Sequence, residues 1–187
     1  MVDPLSATAI GAVVLTESIK FLYNQAGELL KRYRERKQNA GTEPPAGAEP
    51  LLQLPPDIVE GSAAPAAPDY AVVAKLEQSL LEMRRPLADY AEGLAEPKAG
   101  DSLVMEQVNA LRELLETVYG QRITFKGEAR PPSGPLVRAH GDVERVQGYA
   151  AVVHAKSMNS GEVDAVGKAQ TVERGGNFTV VDIDRIG

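Results

Sequence analysis

The sequence contains no cysteine and no tryptophan, and only two histidines, His140 and His154. Without thiols, disulfides, thiolate zinc sites and cysteine nucleophiles are excluded. Both histidines sit in polar, turn-like stretches, where an ordinary surface histidine is the common outcome. Aromatic residues make up 5% of the chain, so a core must be built from Leu, Val, Ile and Ala rather than from large rigid anchors. Long apolar runs are missing as well. Residues 4–16 carry no charge, but that stretch is too short to span a bilayer as a helix. Asp3 stands where a secretory signal would place a basic residue, so a cytoplasmic protein is expected. No phosphate-binding G-x-x-x-x-G-K-[ST] loop, G-x-G-x-x-G turn, G-x-S-x-G elbow or H-E-x-x-H helix occurs. Asp182 and Asp184 alternate along one strand-like face, where a solvated edge is the simpler account than a metal or acid–base pair. A non-enzyme is expected, with no cofactor, no metal and no small-molecule substrate.

What is present is unevenly distributed. The net charge of −6 argues against a general nucleic-acid binder, whose affinity depends on phosphate neutralisation. Along the chain the balance is +2 over residues 1–39, −4 over 40–68, −5 over 69–119 and +1 over 120–187. With 187 residues there is room for one ordinary domain, or a small domain with an appended module.

Residues 1–38 read as a first helix. Asp3-Pro4 is a start signal, because Asp accepts from free amides and Pro fits the first helical position. Leu15, Ile19, Leu22, Ala26, Leu29 and Tyr33 recur at steps of four and three, which places them on one stripe. The helix closes with Lys31, Arg32, Arg34, Arg36 and Lys37, cations favourable against its C-terminal dipole. This run reads as a solvated helix end, with contact to anionic lipid as the alternative. Residues 39–68 form a Pro/Ala-rich linker with no Lys or Arg between 40 and 68, too polar and small to order itself. The apolar run from Leu51 to Val59 inside it is expected to dock as a strap on the helices, with a Pro-rich partner motif as the alternative.

Residues 69–120 read as a helix pair. After Pro68-Asp69, Val73, Leu76, Leu80, Met83, Leu87, Tyr90 and Leu94 keep the three-four alternation of a packing seam, which Pro86 should kink. A turn at 97–100 leads to a helix capped by Asp101 or Ser102, carrying Val104, Val108, Leu111, Leu115 and Val118 and closed by Gly120. The three helices predict an antiparallel bundle. Residues 121–126 alternate as a strand, and Arg130-Pro131-Pro132-Ser133-Gly134-Pro135 marks a stiff boundary.

Residues 136–187 repeat. Val143-Glu-Arg-Val146, Ala155-Lys-Ser-Met158, Ala169-Gln-Thr-Val172 and Ile183-Asp-Arg-Ile186 each precede a glycine within a few residues, and Val163 and Phe178 fall among the apolar positions between them. Starts at 143, 155, 169 and 183 are 12 or 14 residues apart, room for two short strands and two turns per repeat. The spacing fits a flat β-solenoid, an antiparallel meander, or a coincidence of short Val/Gly patterns. The expected fold class is therefore α+β, a helical bundle followed by a Gly-punctuated β-repeat. About 45 residues with Val as the main apolar type sit near the lower limit for independent folding, and open strand edges invite pairing.

The opening Asp3-Pro4-Leu5-Ser6-Ala7-Thr8-Ala9-Ile10-Gly11-Ala12-Val13-Val14-Leu15 resembles the start of the helical, membrane-active modules of fungal HeLo-type and bacterial Bell-type cell-death effectors. Those families join a helical bundle to a C-terminal segment that templates into stacked β-structure, and the order here is similar. The tail is longer than a single amyloid-signalling motif and has no clear Asn/Gln ladder. It also resembles tails of uncharacterised actinobacterial proteins.

Two functions are expected to compete. One is an assembly protein that self-associates or docks a larger protein. Its contacts would be the helix seams (Leu15, Ile19, Leu22, Leu29, Val73, Leu76, Leu80, Leu87) and the tail (Val143, Val146, Met158, Val163, Val172, Phe178, Ile183, Ile186). The other is a membrane-active effector, in which the uncharged start of the first helix inserts and Lys31, Arg32, Arg34, Arg36 and Lys37 hold headgroups.

Overall fold

The computed structural model describes residues 11–39, 49–98, 101–146, 149–155, 162–173 and 177–183. It is a mixed helix-and-strand chain that divides into two compact units, Met1–Ser133 and Gly134–Gly187.

The first unit is built on three long helices. Helix α1 (Ala12–Gln38) buries Leu15, Ile19, Leu22, Ala26 and Leu29, the stripe set by their three-four spacing. The start expected at Asp3-Pro4 lies outside the described residues. Helix α2 (Tyr70–Arg84) is capped by Asp69, whose carboxylate accepts from the amides of Ala71 at 2.8 Å and Val72 at 3.3 Å. Pro86 then breaks the helix. Residues Arg85–Leu87 tighten into a 3-10 turn, and a four-residue helix α3 (Ala88–Ala91) follows. The packing seam ends there: Leu87 is buried and Tyr90 half-buried, but Leu94 is 75% exposed. The expected continuation through Leu94 fails because the chain leaves the helix at Gly93, whose φ is 76°. Helix α4 (Ser102–Tyr119) is capped by Asp101 and closed by Gly120 in the left-handed region, φ 59°. Its buried stripe includes Val104, Val108, Leu111, Leu115 and Val118. Helix α1 packs on α2, α3 and α4, and α2 packs on α4, around one shared core.

The segment between α1 and α2 joins that core. Leu52, Ile58 and Val59 are buried in it, as expected of a strap. Its backbone is tied down at several points. The Gln25 amide donates to Tyr119 Oη at 2.8 Å, and that hydroxyl donates to the Pro50 carbonyl at 2.8 Å. Leu52 pairs with Ala66, and Val59 with Phe125. At Gly61, φ is 85°, and a Cβ would meet the Pro132 ring at 2.9 Å, so only glycine lets the strap approach residues 132–133 so closely.

Residues 121–133 follow α4 back over the core. Strand β1 is short (Gln121–Arg122), yet Ile123, Thr124 and Phe125 beyond it are all buried. Burial is unbroken rather than alternating, because the backbone is held by side chains instead of a ladder. Glu116 accepts from the Ile123 amide at 2.8 Å and pairs with Arg130 at 3.3 Å. Glu128 accepts from the Phe125 amide at 2.7 Å and pairs with Arg112 at 2.6 Å, their side chains 2% and 1% exposed. Asn109 accepts a further hydrogen bond from Arg112. Burial lowers the Arg112 pKa, with Glu128 opposing that shift.

The second unit is made of strands. Strand β2 (Gly134–Val146) runs parallel to β4 (Glu162–Val172), and β3 (Tyr149–Ala155) parallel to β5 (Asn177–Ile183). Leu136 faces Glu162, Gly141 faces Gly167 and Val146 faces Val172, an offset of 26 residues. Tyr149 faces Asn177 and Ala155 faces Ile183, an offset of 28. Among the four starts read in the sequence, Val143 therefore lies opposite Ala169 and Ala155 opposite Ile183. Partners are alternate strands in chain order and run in the same direction, which is not the ladder of a meander. Each step of 12 or 14 residues spans the end of one strand and most of the next. Gly141 and Gly167 lie within β2 and β4, and the glycines expected at the reversals, Gly148, Gly161, Gly175 and Gly187, lie outside the described residues.

Candidate functional site

The sequence named three groups of interacting residues, and the structure gives them different surroundings. In the helix group, Leu15, Ile19, Leu22, Leu29, Val73, Leu80 and Leu87 are buried in the core of the first unit, and Leu76 is half-buried against it. These side chains are enclosed by their own chain. No second molecule reaches them without opening the unit.

The basic group stands at the surface. Arg32 pairs with Glu35 at 3.1 Å, Arg36 with Glu49 at 3.2 Å, and Arg34 and Lys37 approach Glu77 at 3.8 and 4.0 Å. The Arg36 guanidinium also lies 4.2 Å from the centre of the Tyr70 ring. Burial raises the Tyr70 pKa, and the neighbouring Glu49 adds to the shift. Among the described residues Lys31 makes no ion pair. Exposed pairs of this kind each contribute about 0–1 kcal/mol, so a stronger anion can displace them.

The tail group differs from both. Among its described side chains, Val163 and Phe178 are only half-buried, while Val166, Val172 and Val181 are 47%, 47% and 39% exposed. Along β4 the half-buried positions are Val163, Ala165, Gly167 and Ala169, every second residue, as on the inner face of a strand. Small residues dominate that face, so it encloses little apolar volume. Val143, Val146 and Ile183 hold paired positions in β2 and β5, whereas Met158 and Ile186 lie outside the described residues. Strand β4 takes one neighbour, β2, and β5 takes one neighbour, β3, so each leaves an edge without a strand among the described residues.

Nothing in the sequence reading pointed to Arg112, Glu116, Glu128 and Arg130. A signal was available: Arg112 and Glu116 stand four apart on the stripe that also carries Val108, Leu111 and Leu115, where an unpaired charge would be costly. No group of His, Asp and Glu able to hold a metal ion occurs among the described residues. No helix there is long and apolar enough to cross a membrane. Comparison with protein-family models, curated proteins and solved structures finds no match to this chain.

Proposed function

We propose that this chain is a non-catalytic assembly protein whose strand unit is completed by a second surface, either another copy of itself or a larger protein. The observation that carries this reading is the combination of half-buried inner residues, exposed Val166, Val172 and Val181, and edges of β4 and β5 that take no further strand among the described residues. Parallel strand pairs whose described inner positions are small and half-buried gain little from burial to hold them, and open parallel edges accept further strands. The helical unit supplies a stable base, its seam residues being engaged in its own core.

Light scattering of the intact chain across a micromolar concentration series tests this. Mass should rise with concentration, and Val166→Lys combined with Val181→Lys should return it to a monomer. A monomer whose tail nonetheless resists protease would remove the proposal.

A second reading, a membrane-active effector, is favoured by one observation. Val13, in the uncharged start of α1, is 77% exposed although Val14 beside it packs on the core. Together with the HeLo/Bell-like opening, this supports shallow insertion of that end into a bilayer. Leakage of anionic liposomes by the intact chain, abolished by Val13→Asp, would support it. Intact liposomes would eliminate it.

A further inference from the structure

A cavity of about 510 Å³ lies between α1 and α2, lined by Asn24, Gly27, Lys31, Arg34, Leu81 and Arg84, and also by the carboxylates Glu28 and Glu35. Its lining follows from helix geometry: residues 24, 27, 28, 31, 34, 35 and 38 share one face of α1, opposite the last turn of α2. Three cations converge there. Arg84 is held in place rather than waving in solvent: its Nε donates to the Tyr23 carbonyl at 3.0 Å, and its guanidinium stacks 3.6 Å from the centre of the Tyr23 ring. Gly27 makes room for this. A Cβ at that position would stand 3.1 Å from Arg84 Nη2. The two terminal nitrogens of Arg84 donate to no group among the described residues, which leaves a preset planar fork beside the cavity. Lys31 is without an ion pair among the described residues, and Arg34 has only its long 3.8 Å contact to Glu77. On the same face of α1 Glu35 is engaged by Arg32, so Glu28 is the carboxylate left to repel an anion.

We infer that this cavity is a binding site for a phosphate group, with Arg84 supplying the oriented donors and Lys31 and Arg34 the compensating charge. A fixed guanidinium fork flanked by exposed cations matches the oxygens of a phosphate monoester better than it matches a flat neutral ligand. The same chemistry is offered by a soluble phosphorylated compound and by a phosphatidate headgroup. This site is independent of the strand unit and of the assembly reading.

The test is calorimetric titration of the intact chain with inorganic phosphate and pyrophosphate, alongside flotation with phosphatidylcholine vesicles containing or lacking phosphatidate. Pyrophosphate should bind more tightly than phosphate. Lys31→Gln, an exposed change that leaves the core untouched, and Arg84→Gln should each weaken binding about tenfold, the value of one charge-assisted hydrogen bond. Arg85→Gln, an exposed neighbour off the cavity, should leave it unchanged. Glu28→Gln should strengthen binding, a gain that damage to the fold would not produce. Binding of pyrophosphate without flotation assigns a soluble ligand, and flotation on phosphatidate vesicles with the same residue dependence assigns a headgroup. Absence of binding to both, or equal losses for Arg84→Gln and Arg85→Gln, overturns the inference.

Discussion

At the scale of single residues, the first unit is fastened by charges placed where charges are expensive. The Arg112–Glu128 pair is enclosed on all sides, and Glu128 also holds the Phe125 amide. Removing one partner of such a pair strands the other in a medium that solvates it poorly. Glu128→Ala is therefore expected to cost about 3–5 kcal/mol, measured as a drop in the urea midpoint at unchanged slope. Tyr119 offers a second measurement. Burial pushes its hydroxyl up to about 12 from 10.0, while the hydrogen bond from Gln25 acts in the opposite direction. A phenol with a raised folded-state pKa contributes fully below pH 10, where both states keep the proton. Its contribution is lost between pH 10 and 12, as the unfolded chain ionises first, with a slope of about 1.4 kcal/mol per pH unit. Tyr119→Phe should flatten that alkaline decline in denaturation series run from pH 8 upward. Neither residue pair announces itself along the chain. Arg112 and Glu128 are 16 positions apart, and a charge on a helix looks solvated until its partner is brought over it.

At the scale of elements, local rules were readable and phase changes were not. Asp101, Asp69 and Gly120 mark helix ends through bonds made within two to four residues, so their meaning does not depend on the rest of the molecule. The stripe of α4 was legible for the same reason. Leu94 was misread because Pro86 and Gly93 reset the helical phase, and a periodic count carries no memory of a break. The basic end of α1 was visible in the sequence, but its cavity was not, because Arg84 reaches it from another helix across the space left by Gly27. The strap shows how a proline-rich segment is ordered from outside. Leu52 is buried and its backbone pairs with Ala66. Leu52→Ala should destabilise the first unit by about 2–5 kcal/mol, as cavity-forming core substitutions do. Increased proteolysis between residues 49 and 68 would be its local signature, and an unchanged cleavage pattern would show that the strap is not anchored there.

At the scale of the whole molecule, two units divide at Ser133 and Gly134 and rest on different physics. The first holds an extensive apolar cluster, whereas the described residues of the second contribute half-buried small side chains and parallel backbone pairing. A fragment of residues 1–133 is expected to unfold cooperatively by itself, and a fragment of residues 134–187 to lack protected amides when dilute and isolated. Hydrogen exchange on the two fragments checks both statements. Strands in the tail were readable, but the choice of partner was not. A short apolar pattern marks a strand, while the skip of one strand depends on how the chain turns between strands.

That skip has a consequence during synthesis. A hairpin strand meets its neighbour almost as soon as it is made, but β2 must wait until 26 further residues have been translated before its mate exists. At about 5–20 residues per second the delay is on the order of one to five seconds. Throughout that interval the nascent chain carries a completed helical body trailed by a ribbon still lacking its parallel partner, which is the moment when a chaperone, or a neighbouring chain on the same message, has its best opportunity to engage it.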